Sequence, residues 1–391
     1  MVYYVDGLRT PFGAFNGGLK SQSAPELAAP LLAELVSRQG LRANSVDQVI
    51  LGQVIQAGSG QAPARQATLR AGLDESVSAM TINKVCGSGL MALMLGAGAI
   101  RLGESGLVLA GGMESMSRAP HAILGAREGL KAGDSKLVDL LFWDALTDPA
   151  SGRAMGELVE EKTKSAQISR EAQDGYAIKS YQLALEAQKN GRLAKEILPV
   201  TLAAKSGPVT LSLDEEPGKV NFEKLPHLRP VFDPSGSITA ANASSLNDGA
   251  AVCLLASETE VRARGLKPKA KILAYSSVSL KPQDFSLAPI PAIQRVLERG
   301  KVKISEVDFF EINEAFAAVP LMAIGALGLD PRRLNVNGGA VALGHPVGAS
   351  GARLVITLVE QLVLTGAKYG VAALCIGGGE SVAVLVQRAE G

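Results

Sequence analysis

Three residues of this 391-residue chain stand in contexts that could do chemistry. Cys86 lies in Asn83-Lys84-Val85-Cys86-Gly87-Ser88-Gly89, immediately before a helical pattern from Leu90 to Ile100. Its sulfur is therefore expected to face a helix N-terminus, a placement that lowers a thiol pKa and makes a nucleophile. Glycines at 87 and 89 would strip side chains from around that sulfur. His345 falls in the glycine-dense run NVNGGAVALGHPVGASGAR (335–353), just upstream of an apolar, helix-like stretch from Leu354 to Leu364. Alone, that segment reads equally as a backbone-shaping loop at a site or as a tight turn carrying a surface histidine. Cys375 ends an apolar strand and is followed by Ile376-Gly377-Gly378-Gly379, which would expose its thiol and several backbone N–H groups at the strand's end. Strand ends are where α/β proteins place reacting groups, yet by itself Cys375 also reads as core. A further segment, Glu311-Ile312-Asn313-Glu314-Ala315-Phe316, sets two carboxylates and an amide in an apolar run. Their burial is costly unless they are hydrogen-bonded, which fits a site wall better than a plain core strand.

The elements that must position these residues show a repeat. Ser45-Val46-Asp47-Gln48-Val49-Ile50-Leu51 resembles Glu306-Val307-Asp308-Phe309-Phe310-Glu311-Ile312, and Val85-Cys86-Gly87-Ser88-Gly89 aligns with Val347-Gly348-Ala349-Ser350-Gly351. The spacing from Val46 to Gly89 differs by one residue from that between Val307 and Gly351. Leu107–Ser115 and Ala373–Ser381 look like a third matching pair, each a strand ending in glycines. Apolar strands alternating with helical units predict an α/β fold made of two similar halves packed in layers, with a site at their junction. The first half is expected to span 1–119, completed by about 245–267, and the second 268–391. Between them, 120–244 breaks the rhythm with polar stretches such as 160–173 and 205–229, and is expected to be an inserted loop domain lying over the junction. Cys253, among alanine, valine and leucine, reads as core. His121 and His227 carry no motif.

Composition narrows the class. With 47% hydrophobic and 20% charged residues and a net charge of +1, basic and acidic side chains balance, so neither nucleic acid nor an anionic membrane is indicated as a partner. There is no long uninterrupted apolar run to suggest a membrane span, and the chain opens as a strand at Val2–Val5, so a cytoplasmic protein is expected. Three scattered cysteines suit neither a disulfide framework nor a zinc site. No G-x-G-x-x-G follows a strand and no P-loop is present, which argues against a dinucleotide fold.

Taken together, Asn-x-x-Cys-Gly-Ser-Gly at 83–89, Gly-Gly-Met-Glu-Ser at 111–115, Asn-Glu-Ala-Phe at 313–316, Gly-His-Pro-x-Gly-x-Ser-Gly at 344–351 and Cys-x-Gly-Gly-Gly at 375–379 closely resemble the thiolase family, in order and spacing, along nearly the whole chain. Asp6–Gly13 and Asn242–Gly249 also look like thiolase segments. The resemblance implies the thiolase fold and a reversible reaction: cleavage of a 3-ketoacyl-CoA by CoA, or Claisen condensation of two acyl-CoA molecules. It implies Cys86 as the nucleophile that carries the acyl group and His345 as the base that accepts the Cys86 proton and later activates the CoA thiol. Cys375 would be the second acid/base. Two oxyanion holes are implied, one from His345 with a water held by Asn313, the other from the backbone N–H groups of Cys86 and Gly377. The same resemblance points to Ala240 and Ser244 beside the pantetheine, Ala315 and Phe316 at its mouth, CoA as substrate, no metal or other cofactor, and a homodimer or homotetramer.

Two segments depart from the family pattern. Where short-chain thiolases carry a Tyr-His-Met-Gly-like segment against CoA, this chain reads Arg153-Ala154-Met155-Gly156, and where Gly-x-Gly-Pro is common it reads Phe285-Ser286-Leu287-Ala288-Pro289. Met155 is accordingly expected at the CoA or substrate contact, and Phe285 near a position that shapes the acyl pocket. Ketosynthases share the fold but pair the cysteine with two histidines, against the Cys375 context here. The remaining alternative is a non-catalytic or narrow-specificity acyl-CoA or lipid-binding protein of the same fold.

Overall fold

The computed structural model describes residues 1–203 and 207–390; Lys205 and Ser206, at the start of the polar stretch 205–229, lie outside them. Nine strands form one continuous path in the order Phe309–Ile312, Tyr369–Ile376, Glu380–Arg388, Ala270–Ser279, Val2–Arg9, Asn247–Ser257, Leu107–Ser115, Gln48–Gly52 and Ser78–Ile82, with the two-residue Gly13–Ala14 strand paired to Asn247–Ser257. The seam between the halves is thin. Val2–Arg9 meets Ala270–Ser279 through only Tyr3↔Lys271 and Tyr4↔Ala270.

Alternation along the strands shows how the layers form. In Leu107–Ser115, Val108 and Ala110 join the central core, whereas Leu107, Leu109 and Met113 face the helix Ala24–Arg38 on the outside. In Tyr369–Ile376, Ala372, Leu374 and Ile376 point to the same central core, and Val371, Ala373 and Cys375 to an outer cluster with the helices Pro289–Gly300 and Ala318–Leu327. Period-two side-chain direction thus feeds both faces of each half-sheet, so these strands read as unbroken apolar runs. Two helices fill the centre, Ser88–Leu102 and Ser350–Thr365, contributing Leu90, Leu93, Ala97, Leu354, Val355 and Leu358. The run Val85–Leu102 is almost wholly apolar; a helix packed on several sides has no polar face to keep. Each fully buried leucine there contributes roughly 1.5–3 kcal/mol.

The repeat is real in three dimensions. The Asp47 carboxylate accepts the N–H groups of Gly106 and Leu107 at 2.7 and 2.9 Å, and the Asp308 carboxylate accepts those of Lys368 and Tyr369 at 2.8 and 2.9 Å. Each aspartate's strand then runs parallel to the strand it caps. This bonding corrects the third sequence match. Leu107 corresponds to Tyr369 and not to Ala373, so Gly-Gly-Met-Glu-Ser and Gly-Gly-Gly-Glu-Ser are out of structural register by four residues. The glycines have different causes: at 111 and 112 they let other backbone pass within a strand, whereas Gly378 and Gly379 have φ of 87° and 89° in a turn.

That turn joins Tyr369–Ile376 to its antiparallel neighbour Glu380–Arg388. In the first half the equivalent pair, Leu107–Ser115 and Asn247–Ser257, is joined instead by residues 116–246. This connection holds two small hairpins and the helices Met155–Ser165 and Arg170–Lys189. Glu314 of the second half ties it down, accepting from Tyr176 Oη at 2.8 Å and Ser180 Oγ at 2.7 Å.

Candidate active site

Cys86 sits on an elbow between the strand Ser78–Ile82 and the helix Ser88–Leu102. Ser88 closes it, donating to Val85 O at 2.7 Å and accepting from the Lys84 N–H at 2.8 Å. Val85 is held at φ 49°, a conformation a β-branched residue rarely adopts, which costs on the order of 1–3 kcal/mol. The neighbouring glycines serve approach more than sulfur exposure. A Cβ on Gly87 would stand 2.3 Å from Ile376 Cδ1, and one on Gly89 would stand 2.9 Å from Gly348 O and Ala352 N. They let the nucleophile's elbow press directly on the second half.

His345 is buried, 5% exposed, so the surface-turn reading fails. Its main-chain N–H donates to Asn247 Oδ1 at 2.9 Å, its Nδ1 lies 2.6 Å from Ser350 Oγ, and its Nε2 lies 3.4 Å from Asn313 Nδ2. Asn247 belongs to the first half and also donates to Gly13 O at 3.0 Å, so one half positions the other's imidazole. Glu114 does likewise: its buried carboxylate accepts from Val54 N at 2.9 Å, Ile55 N at 3.3 Å and Gly348 N at 3.0 Å. Sequence reasoning assigned no role to Asn247 or Glu114. The available signal was a lone carboxylate in an apolar strand, the one already noticed at Glu311.

The electrostatics overturn one expectation. Burial pushes the Cys86 thiol up to about 11, outweighing the N–H groups of Gly377 and Cys86 itself that point at the sulfur, and Glu114 adds to the rise. A helix N-terminus alone does not make this thiol a thiolate; it needs a base. Burial, helped by the Arg353 charge, lowers His345 to about 3, so the imidazole is neutral and able to accept a proton. Cys375 is pushed well above an ordinary thiol by burial and by Cys86 beside it, and so holds its proton. Glu114 is raised to about 7, chiefly by burial.

A cavity of about 290 Å3 brings Cys86, His345, Cys375, Gly377, Met155, Ser244, Phe285, Ala315 and Phe316 together. Ala154, from the segment that departs from the family pattern, also lines it, and so do Phe142, Leu146, Phe232 and Val347, to which the sequence gives no role. Two expected residues are not on its surface. Asn313 is fully buried behind His345, and Ala240 is exposed and outside the lining. The site-wall reading of Glu311 and Glu314 is also corrected. Glu311 accepts from Arg353 Nη1 at 2.9 Å, and Glu314 from Tyr176, Ser180, Asn335 Nδ2 and Val341 N, so both are satisfied in the interior away from the cavity. Cys253 is fully buried, as core.

Two protonated thiols, a neutral imidazole and N–H groups aimed at one sulfur, on a duplicated α/β scaffold, suit acyl transfer through a thioester. Comparison agrees: residues 2–259 match the thiolase N-terminal domain and residues 266–388 the thiolase C-terminal domain. The chain belongs to the thiolase family. It is 47% identical over 390 residues to a probable acetyl-CoA acetyltransferase of Escherichia coli, covering 100% of this chain and 99% of that one. Among solved structures, the Bacillus anthracis acetyl-CoA acetyltransferase superposes with a TM-score of 0.97 at 41% identity, covering 99% and 98% of the two chains. An Ascaris suum thiolase in complex with coenzyme A does so with a TM-score of 0.94 at 42% identity, covering 99% and 100%.

Proposed function

We propose that the chain cleaves 3-ketoacyl-CoA with CoA to give acetyl-CoA and a shortened acyl-CoA, and runs the reverse condensation, through an acyl-Cys86 thioester. One observation carries the roles: a single cavity unites Cys86 from the first half with His345 and Cys375 from the second, with the histidine neutral and both thiols protonated. His345 takes the Cys86 proton as the sulfur attacks the 3-keto carbon. The bond between C2 and C3 then breaks, and its electron pair takes the Cys375 proton, releasing acetyl-CoA. Proton exchange between imidazolium and Cys375 thiolate resets both. Neutral His345 next takes the proton of the incoming CoA thiol, the CoA sulfur displaces Cys86, and Cys86 recovers that proton. The N–H groups of Cys86 and Gly377 stabilise the oxyanion formed at the acyl carbon. Asn313 lies behind His345, off the cavity surface, and its buried, unpartnered Oδ1 supports a role in the second hole through a bound water.

Ser244 is fixed against the Ala315 carbonyl, its Oγ donating at 3.0 Å, which supports these two residues as the channel floor for the pantetheine arm. Ala240, exposed outside the lining, would meet that arm only further out. The half-exposed edge strand Ser78–Ile82, unpaired on one side, supports a homodimer or a tetramer built from it. Three unpaired cysteines support a reducing compartment such as the cytoplasm.

The test is CoA-dependent cleavage of acetoacetyl-CoA and longer 3-ketoacyl-CoA substrates by wild-type protein and Cys86→Ala. Turnover should fall by at least about 10^3-fold in the variant while CoA binding persists. A wild-type protein that binds CoA but cleaves none of the series would overturn the proposal in favour of a binding protein.

A further inference from the structure

Resting on the base role proposed for His345, we infer that Ser350 is a positioning residue that fixes the imidazole as its Nδ1–H tautomer and leaves the Nε2 lone pair free for the Cys86 proton. A serine hydroxyl has one hydrogen to give and two lone pairs to receive. Ser350 Oγ lies 3.0 Å from Pro346 O and 2.6 Å from His345 Nδ1. A carbonyl oxygen can only accept, so the contact with Pro346 is a hydrogen bond only when Ser350 donates its hydrogen there. That carbonyl also accepts the N–H groups of Ala349 at 2.9 Å and Ser350 at 3.0 Å; with the serine hydrogen added to it, the bond to the ring runs from His345 Nδ1–H to the serine oxygen.

The internal repeat supplies an independent control. Ser88 starts the first central helix as Ser350 starts the second. Ser88 Oγ donates backwards to the Val85 carbonyl and receives the Lys84 main-chain N–H, a group that can only donate. Two equivalent serines therefore make the same pair of bonds, one backward to a carbonyl and one from a donor just upstream. In the first half the donor is backbone; in the second it is the imidazole. The second half has turned a helix-start bond into a clamp on a ring, and Arg353, one turn along the same helix, contributes to keeping that ring uncharged.

The chain has three histidines, and His121 and His227 are exposed, so histidine 15N spectra of the full-length protein are readily assigned with His121→Gln and His227→Gln. Resting wild-type protein near pH 7 should show His345 as a neutral ring protonated on Nδ1. Ser350→Ala should populate the Nε2–H form and lower kcat about 10- to 100-fold with KM little changed, and Ser350→Thr should restore both. A wild-type ring protonated on Nε2, or a Ser350→Ala protein with unaltered tautomer and kcat, overturns the inference. Should Ser350→Ala fail to fold, the wild-type spectrum decides by itself. Wild-type protein showing the Nδ1–H ring but no thiolase turnover would sink the proposed function and leave the tautomer assignment standing.

Discussion

The two halves of the molecule share one frame and have divided its chemistry. Asp47 and Asp308 cap equivalent strands with the same pair of N–H bonds. Ser88 and Ser350 start equivalent helices that pack together in the centre. Yet the loop before Ser88 presents a thiol and the loop before Ser350 an imidazole. Where the second half closes two strands with the turn Gly377–Gly379, the first sends out 116–246, whose residues wall the cavity. The repeated frame brings the halves into direct contact at Gly87 and Gly89, and a few differing loop residues make the two sides complementary. Neither half holds a complete site, because nucleophile and base come from opposite sides of the seam.

The largest expected effect tests that division directly. His345→Ala should lower kcat by about 10^3-fold, within the usual range for loss of a general base, with CoA binding retained by equilibrium titration. A variant of normal rate would return Cys86 to the self-sufficient thiolate that its helix position suggested.

The turn that stands where the first half has its insertion offers a second contrast. A Cβ at Gly379 would come within 2.5 Å of Leu280 O at a φ of 89°, so Gly379→Ala should destabilise the fold by about 2 kcal/mol or more in denaturant titration. A Cβ at Gly377 would meet nothing nearer than Met155 at 3.6 Å. Gly377→Ala should therefore leave stability within about 0.5 kcal/mol and act on turnover instead.

pH separates the imidazole from the buried carboxylates of both halves. His345 is lowered in the folded protein, so below pH 6.5 the unfolded chain binds a proton that the native ring refuses until about pH 3. Its contribution makes stability rise with pH between those values. Glu114 is raised to about 7 and Glu311 to about 8, each chiefly by burial, so from about pH 4.5 up to those values the native state holds protons the unfolded chain has lost, and their contribution falls with pH. Thermal midpoints measured from pH 4 to 8 should lose the rising component in His345→Asn and keep the falling one. The smallest effect concerns the shared frame: Asp47→Ala and Asp308→Ala should each cost about 1 kcal/mol, by equal amounts and without loss of turnover. Unequal costs would show that the halves no longer carry the same load.

Much of this protein was legible in residue order. The alternating apolar strands, the two serine-started helices and the repeated aspartates specify the duplicated α/β frame, because side-chain periodicity and local hydrogen bonding act over a few residues. Cys86, His345, Cys375 and Gly377 stood out because a reactive group flanked by glycines is rarely needed for packing. Tertiary structure alone decided the rest. Desolvation at the cavity wall, not helix polarity, sets the thiol's protonation; Glu311 and Glu314 turn from the cavity because Arg353, Tyr176 and Ser180 meet them from distant segments; Asn247 and Glu114 of one half hold the His345 loop of the other. Such effects depend on which groups converge in space from 42 to 234 residues apart. No local pattern encodes that convergence.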